Sequence, residues 1–472
     1  MARKLMVVLA VAGLVGGVAG VPAQADAPRP PDPPRPPGVD GAGSGERPDA
    51  RAAALAPSGA VGELRFTSTT RLAPGVLFRT FETTGVGGPV LGDLLDVDLR
   101  GPGVRMGLLH PPNVAARRTV SAMADAQRAL AGVNGDFFNI SETRPGVVPT
   151  GSSSGPEVAD GLPLKGAVPD GQRFGPALPK GTSAEDVIGI GADRRGHLGR
   201  LHLTGTVVAH TARPVSARPA RTASGRTARP VSARTVGSGG GVRVALRGLN
   251  QYALPVGSAG AFTDAWGSVS RRRAVCGTDT VRNGPCSTNT AEVTVQRGVV
   301  TKVTDEVGEG AIPPDTTVLV GRDKGADELR ALRPGDRVRI GYRFTSPRKF
   351  RFAIGGFPIL RDGAPLDGLD PKGPAPRTAA GVSRDGRHMY LVVADGRSQR
   401  SAGLTVAELA SLLDKAGVDD GVNLDGGGSS TFVTRSGGKS VVRNSPSDGR
   451  ERAVANGIGV FLNHPAPEIP VP

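Results

Sequence analysis

The residues best suited to chemistry lie at positions 423–431, which read Asn-Leu-Asp-Gly-Gly-Gly-Ser-Ser-Thr. Three adjacent glycines lose much chain entropy on folding and bury no side chain, so such a triplet is expected where backbone N–H groups approach an anion or a sugar closely. Asp425 ends the apolar, strand-like run that precedes the glycines. A carboxylate in that position can act as a nucleophile or activate water during hydrolysis of a glycoside.

Two other interpretations of this loop stay open. Asp425 can serve simply as the Asx-turn residue of a glycine hairpin. Ser429 follows Gly428 as in the nucleophile elbow of a serine hydrolase, but the second flanking glycine is missing and no helical pattern follows. A serine hydrolase is therefore the weaker interpretation.

Other polar residues share the position of Asp425, at the end of a strand-like run or in a glycine-rich turn. We predict Asp425 as a catalytic carboxylate, with Glu451 or Asp136 as the second one. The residues predicted to bind substrate are Asn134, Arg377, Thr378, Asp395, Asn423, Gly426, Gly427, Gly428, Ser429, Ser430, Asp448 and Arg452. For Asp136, Asp395 and Asp448, a turn or capping role is an equally good interpretation.

The predicted chemistry depends on recognition of negative charge. A phosphate leaving group departs without much help from a general acid, so the main requirement is that arginine and backbone N–H groups bind the phosphate. Arg377, Arg452 and the loop at 426–430 are candidates for that task. With few histidines and two cysteines, no zinc site, other metal ligand or cofactor is predicted. A carboxylate-bound Ca²⁺ or Mg²⁺ stays compatible with the sequence.

Helix and strand signals surround these residues. Thr405 and Glu408 form a capping box, and the apolar residues that follow have helical spacing, which predicts a helix that stops at Gly417. A shorter helix is expected after Thr119, which is a plausible N-cap. The high glycine and proline content favours loops and short strands elsewhere.

The chain begins with the features of an exported protein. Arg3 and Lys4 precede an uncharged apolar run, and residues 23–25 fit the small-x-small cleavage pattern. Residues 1–25 are therefore predicted to be a secretory signal peptide. A membrane anchor is the alternative, but the run is short, no stop-transfer pattern follows, and no later apolar stretch is long enough to cross a bilayer. We predict a secreted protein, with the cell wall as a candidate location.

The two cysteines, Cys276 and Cys286, have nine residues between them. In an exported chain this spacing predicts one local disulfide that closes a loop. A metal site would need more cysteines or nearby histidines.

The chain is strongly basic. Its formal net charge of +15 falls to +13 when Arg3 and Lys4 leave with the signal peptide. The expected partners are anionic wall polymers, phospholipid head groups or phosphorylated glycans. Nucleic acid is not expected, because the basic excess lies in Gly/Pro-rich loops without interleaved aromatic residues.

One octapeptide, Thr-Ala-Arg-Pro-Val-Ser-Ala-Arg, occurs at residues 211–218 and again at 227–234. This segment is predicted to be a basic insertion in a surface loop, and two short copies are too few for a solenoid. A tolerated disordered insertion is favoured over a binding site for anionic polymer.

Composition and periodicity divide the chain into seven segments. They are the signal peptide at 1–25, a disordered Pro/Ala-rich tether at 26–60, the N-terminal part of a catalytic domain at 61–140, a loop-rich segment at 141–240 with the repeat at 211–234, a β-rich inserted subdomain at 241–345, the C-terminal part of the catalytic domain at 346–463, and a tail at 464–472.

Several motifs occur together in the order found in a known family. They are Asn134-Gly135-Asp136-Phe137-Phe138, Gly355-Gly356-x-Pro358-x-Leu360, Arg377-Thr378-Ala379-x-Gly381, Asp395-Gly396-Arg397, the block at 423–431, and Pro446-Ser447-Asp448 with Arg452 and Ala455-Asn456. The chain resembles the phosphodiester glycosidase family at these residues, best over 70–140 and 350–463. Asp136 departs from the glycine or alanine that is commoner there.

The resemblance implies an α+β catalytic domain with a mixed, mostly antiparallel sheet and few helices. It also implies hydrolysis of a sugar-1-phosphodiester at the anomeric bond. Our first hypothesis is a secreted hydrolase that cleaves an N-acetylglucosamine-1-phosphodiester-like group in a cell-wall or exopolysaccharide glycan. The alternative is a non-catalytic binder of anionic cell-wall polymer, supported by the charge, the basic repeat and the tether. No feature of the sequence predicts an oligomeric state.

Overall fold

The computed structural model describes residues 59–210 and 241–463. The predicted signal peptide, the arginine repeat, the tail, and all but the last two residues of the tether lie outside the described residues.

An eight-stranded main sheet is the largest layer. In spatial order its strands are β1 (Arg65–Ala73), β2 (Val76–Gly85), β3 (Gly88–Asp98), β21 (His388–Ala394), β20 (Arg377–Val382), β22 (Asp420–Asn423), β18 (Phe357–Arg361) and β19 (Ala364–Pro365). All of these neighbours pair antiparallel.

Two five-stranded sheets complete the part of the chain that carries the predicted motifs. The second sheet contains β24 (Lys439–Val442), β23 (Phe432–Ser436), β5 (Ala131–Asn134), β25 (Gly457–Leu462) and β4 (Val104–Leu109). The third sheet contains β7 (Leu162–Lys165), β6 (Glu157–Ala159), β17 (Phe350–Gly355), β8 (Asp186–Gly191) and β9 (Gly196–Arg200).

A closed seven-stranded barrel is inserted between β9 and β17. In spatial order it contains β10 (His202–His210), β11 (Arg243–Leu249), β12 (Ala259–Phe262), β15 (Thr316–Arg322), β13 (Thr290–Gln296), β14 (Val299–Thr304) and β16 (Arg337–Thr345). The first and last of these strands, β10 and β16, pair with each other and close the barrel.

The helices of the described residues are few and short. They are α1 (Val120–Gln127), α2 (Lys324–Leu329) and α3 (Val406–Lys415). The capping box predicted at Thr405 and Glu408 is present at the start of α3, and Thr119 caps α1 as expected. The predicted α+β fold with mostly antiparallel strands and few helices is confirmed. No helix in the described ranges is long and apolar enough to cross a bilayer.

The main and second sheets pack face to face around one apolar core. Val97 and Val393 contribute from the main sheet, and Val133, Phe432 and Ile458 contribute from the second. The opposite face of the main sheet packs against α3 and against residues next to the barrel. Polar residues at the strand ends therefore meet at the edges of these layers.

The strands differ from the sequence-based segments in one place. The segment 141–240, predicted to be loop-rich, contains β6 to β9 and also β10, so the barrel begins at His202 rather than near residue 241. Local alternation is weak in β6 to β9, which have three to six residues each, and β6 and β8 pair with β17 while β10 pairs with β16, far along the chain. The disulfide between Cys276 and Cys286 is formed, as the spacing predicts.

Candidate active site

The loop at 423–431 is buried and anchored through its backbone. Leu424 N donates to Thr378 O at 2.9 Å, Asp425 N to Gly135 O at 2.8 Å, and Gly427 N to Pro376 O at 2.8 Å. Gly427 has a φ of +58°, a conformation that glycine adopts at little cost. The glycine triplet therefore lets the chain turn back between strands of two sheets.

Asn134 at the end of β5 joins both ends of this loop. Its Nδ2 donates to Asp425 O at 2.6 Å, and its Oδ1 accepts from Thr378 Oγ1 at 2.7 Å and from Thr431 N at 3.0 Å. Thr378 Oγ1 also lies 3.2 Å from Ser430 Oγ. Asn134 and Thr378, predicted to contact substrate, are thus buried supports of the loop.

The side chains of the loop include polar atoms that the fold does not satisfy. Asp425 is only 1% exposed, and Asn423 and Ser429 are fully buried. Neither polar atom of the Asn423 side chain, nor Ser429 Oγ, nor Thr431 Oγ1, has a hydrogen-bond partner among the described residues. Because each buried unsatisfied polar group costs about 1–3 kcal/mol, such a concentration indicates groups kept for binding.

An ion pair lies against Gly428, the last glycine of the triplet. Arg452 Nη2 is 2.7 Å from Asp448 Oδ2. An ideal Cβ built on Gly428 would lie 2.2 Å from Arg452 Nη2 and 2.3 Å from Asp448 Oδ2. Glycine at position 428 is therefore required for the close approach of this pair to the backbone.

Gly428→Ala is expected to displace the Asp448–Arg452 pair and to raise the KM for a sugar-1-phosphodiester at least several-fold. The free energy of unfolding should change by less than about 1 kcal/mol, because the pair is partly exposed. Steady-state kinetics and urea unfolding measure both effects. Gly341→Ala is the matched control, since a Cβ there meets nothing within 4 Å. Equal kinetics for the two variants would contradict the prediction.

Arg377 begins β20 and is 3% exposed. Its Nε donates to Leu404 O at 2.7 Å, and its Nη2 donates to Gly373 O at 3.0 Å. The guanidinium predicted to bind phosphate thus holds two backbone segments beside the loop.

Asp395 follows β21 and is linked to the loop by Asn444. Its Oδ1 accepts from Ser445 N at 2.9 Å and from Asn444 Nδ2 at 3.3 Å, and the same Nδ2 is 3.0 Å from Ser430 O. Burial raises the pKa of Asp395 above its ordinary value, and the hydrogen bonds from Ser445 and Asn444 oppose this shift. Asp395 therefore lies beside the loop, and its substrate-binding role stays a prediction.

The two carboxylates predicted as partners of Asp425 make other contacts. Glu451 accepts from Ser121 N at 3.1 Å and from Ser121 Oγ, at the first turn of α1. Asp136 is 4% exposed, and its Oδ2 accepts from Gly155 N at 2.5 Å. Burial raises the pKa of Asp136, while the Gly155 N–H, Lys165 and Arg173 act in the opposite direction.

Asp136 belongs to a buried charged group behind the loop. Glu157 and Lys165 lie opposite each other on β6 and β7, and both are almost fully buried. Lys165 Nζ donates to Gly155 O and to Gly166 O at 2.7 Å each, and burial lowers the pKa of Lys165 to about 8. We define Asp136, Glu157 and Lys165 as the buried triad.

One residue near the loop was missed by the sequence analysis. Asp93 on β3 is 4% exposed, and its pKa is raised to about 7 by burial and by Asp395, against the opposing effect of Arg443. The sequence contains a signal for this residue, because the spacing of Leu91, Asp93 and Leu95 places Asp93 between two leucines on the same face of a strand. A charged residue at such a position is unusual unless it has a function or a partner.

A group of carboxylates that could hold a cation lies away from the loop. Within the described ranges, Asp362, Asp419 and Asp420 bring carboxylate oxygens within 4.8 Å of one another. Asp420 begins β22, whereas Asp425 follows its other end. This cluster is therefore separate from the candidate site.

Comparisons with solved structures show the fold. A hypothetical protein from Synechocystis aligns with a TM-score of 0.58 and 20% identity, over 82% of this chain and 62% of that one. A candidate exported protein from Burkholderia pseudomallei K96243 aligns with a TM-score of 0.60 and 19% identity, over 88% and 99% of the two chains.

Comparisons of sequence concern shorter stretches. The SPbeta prophage-derived uncharacterized protein YomE of Bacillus subtilis (strain 168) is 41% identical over 85 residues, which are 18% of this chain and only 12% of that protein. Residues 289–461 match the family model described as phosphodiester glycosidase. This segment contains the 423–431 loop with Asp425, and the match confirms the resemblance to the phosphodiester glycosidase family that the motifs predict.

Proposed function

We propose that the chain is a secreted hydrolase that cleaves the glycosidic bond of a sugar-1-phosphodiester in a cell-wall or exopolysaccharide glycan. One observation carries the proposal. A buried carboxylate, Asp425, precedes a glycine triplet and is flanked by Asn423 and Ser429, whose buried polar side-chain atoms have no partner among the described residues. Unsatisfied amide and hydroxyl groups suit the hydroxyl and acetamido groups of a sugar.

In the proposed mechanism Asp425 is the nucleophile. Its carboxylate oxygen bonds to the anomeric carbon, the bond from that carbon to the phosphate oxygen breaks, and a phosphate monoester leaves with the electron pair. Water then hydrolyses the glycosyl ester and regenerates Asp425. The backbone bonds from Asp425 N to Gly135 O and from Asn134 Nδ2 to Asp425 O fix the residue in position.

Recognition of the phosphate is assigned to the Asp448–Arg452 pair at Gly428. Both side chains are partly exposed, so the contact between them is weak in water and can be exchanged for another. An incoming phosphodiester offers Arg452 a bidentate anion that competes with Asp448.

The sequence and the disulfide between Cys276 and Cys286 support the proposed export and the proposed cell-wall substrate. The N-terminal apolar run has a cleavage pattern, and the disulfide between Cys276 and Cys286 suits an oxidising compartment. The charge of +13 after removal of the signal peptide favours anionic polymers as partners.

The proposal is tested by assaying the chain from Asp26 onward on UDP-N-acetylglucosamine, on the methyl phosphodiester of N-acetylglucosamine-1-phosphate, and on purified wall polymer. Methyl N-acetylglucosaminide, which has the same sugar without phosphate, is the matched control substrate. Release of sugar and phosphate monoester from the diesters alone is expected. Equal turnover of the methyl glycoside, or no turnover of any diester, would overturn the proposal.

A non-catalytic binder of anionic polymer is the second candidate, favoured by the net charge and by the arginine repeat. Its signature is binding to wall polymer that weakens steeply with salt, without release of phosphate monoester.

A further inference from the structure

Asp93 and Asp395 lie side by side on one face of the main sheet. Asp93 on β3 is directly opposite Val393 on β21, and Asp395 N donates to Leu91 O at 2.9 Å where the strands continue. Asp395 is two residues beyond Val393, so the two carboxylates are diagonal neighbours on the same face. Val393 belongs to the core between the main and second sheets, so this face looks toward the second sheet.

The charges around this pair are few. On the other side of β3, the residue opposite Asp93 is Thr80 of β2, which carries no charge. From the second sheet, Arg443 follows β24 and acts on Asp93. Burial and Asp395 raise the pKa of Asp93 more than Arg443 lowers it, whereas Asp395 Oδ1 accepts from Ser445 N and Asn444 Nδ2. The second negative charge on the pair is therefore poorly compensated.

The location of the pair relates it to the loop. Asn444 Nδ2 is within hydrogen-bond distance of both Asp395 Oδ1 and Ser430 O, so Asp395 lies one side chain away from the loop that carries Asp425. Asp395 is also less buried than Asp93.

The proposed reaction requires a base rather than an acid. A phosphate monoester leaves without receiving a proton, but the water that attacks the glycosyl ester must lose one. A carboxylate whose proton affinity is raised by burial and by a neighbouring anion is a better base than a solvated one.

We propose that Asp395 is the general base that activates this water, and that Asp93 is a positioning residue that raises the basicity of Asp395. The inference rests on the proposed function. In the step, the O–H proton of water moves to the Asp395 carboxylate, and the water oxygen bonds to the anomeric carbon. The bond from that carbon to Asp425 breaks, and its electron pair returns to the Asp425 carboxylate.

The first test removes the base. Asp395→Asn is expected to lower kcat for the methyl phosphodiester by about 10²–10⁴-fold, because the variant cannot hydrolyse the glycosyl ester quickly. Sodium azide should restore turnover at least tenfold and yield a glycosyl azide, because azide attacks without losing a proton. Near wild-type activity in the variant, or no effect of azide, would overturn the assignment of Asp395.

The second test removes the neighbouring charge. Wild-type kcat should rise as the pH increases through about 7, where the pair loses its second proton. In Asp93→Asn this acidic limb should move down by about one pH unit or more, because Asp395 no longer has an anionic neighbour. Asp98→Asn is the matched control on the same strand, where Asp98 pairs with Arg100 at 2.9 Å. Equal pH profiles for the two variants would overturn the role of Asp93.

A third measurement does not need activity, and separates this inference from the proposed function. The carboxyl carbon of Asp93 is titrated by ¹³C NMR in the folded wild-type chain and in Asp395→Asn. A coupled pair predicts that the pKa of Asp93 falls in the variant, and an unchanged pKa would overturn the inference even if no substrate is found. An increase in Tm with Ca²⁺ in the wild type, lost in Asp93→Asn, would instead identify a cation site and also overturn it.

Discussion

Asp425→Asn is expected to lower kcat on a sugar-1-phosphodiester by about 10⁴–10⁶-fold, the range found when a nucleophilic or activating side chain is removed. Asparagine has nearly the same shape, and the two backbone hydrogen bonds that hold residue 425, to Gly135 O and from Asn134 Nδ2, do not involve the carboxylate. The variant should therefore fold, and CD and thermal unfolding check this before the kinetics are measured.

Asp420→Asn is the matched control for that experiment. Asp420 begins the same strand, β22, and its Oδ1 accepts a hydrogen bond from Asp362 N at 3.1 Å, which an asparagine oxygen can also accept. Its activity should stay close to that of the wild type. A folded Asp425→Asn variant with full activity would reduce Asp425 to a turn residue.

Lys165→Met is expected to lower the free energy of unfolding by about 3–5 kcal/mol, because it leaves the carboxylates of Asp136 and Glu157 buried without their cation. Lys165 has no exposed surface, and its Nζ donates to two backbone carbonyls. Urea unfolding of the variant is compared with that of Lys180→Met, which changes an exposed lysine. Equal losses in the two variants would contradict a structural role for the buried triad.

The difference in stability between the wild type and Lys165→Met should depend on pH in a definite direction. Burial lowers the pKa of Lys165 from its ordinary value of 10.5 to about 8 in the folded chain. Between pH 8 and 10.5 the unfolded chain therefore binds more protons at this residue, and stability rises with pH. The stability difference between wild type and Lys165→Met should grow across this window. The double variant with Glu157→Gln should recover part of the loss, since it removes one unpaired charge.

Local signals predicted the parts of the fold that depend on neighbours in sequence. The capping box at Thr405 and the apolar spacing that follows gave α3, because both signals lie within one helix. The glycine triplet likewise marked the buried loop, since only glycine allows Arg452 and Asp448 to approach position 428.

Contacts between residues far apart in the sequence determine the positions of several side chains that local patterns do not predict. Glu451 and Ser121 are 330 residues apart, so nothing local shows that the Glu451 carboxylate contacts the start of α1. The apolar neighbours of Asp93 mark its strand face, but nothing local shows that Asp395, far along the chain, lies beside it. The substrate-binding role of Arg377 stays a prediction, and the sequence gives no sign that its guanidinium also donates to Leu404 O and Gly373 O. A charged residue in a sequence indicates where a site can lie, but it does not indicate which distant residues it contacts.

The pairing of β10 with β11 has a consequence for how this chain can change over generations. Val208 lies opposite Arg243, and Ala209 N donates to Val242 O at 2.8 Å, so the strands on either side of residues 211–240 are hydrogen-bonded neighbours. Lengthening a connection between ends already held together costs only about 0.6 kcal/mol for each doubling. Replication slippage in the DNA that encodes the octapeptide can thus add or delete copies, and the positive charge of the protein can vary between strains while the barrel stays the same.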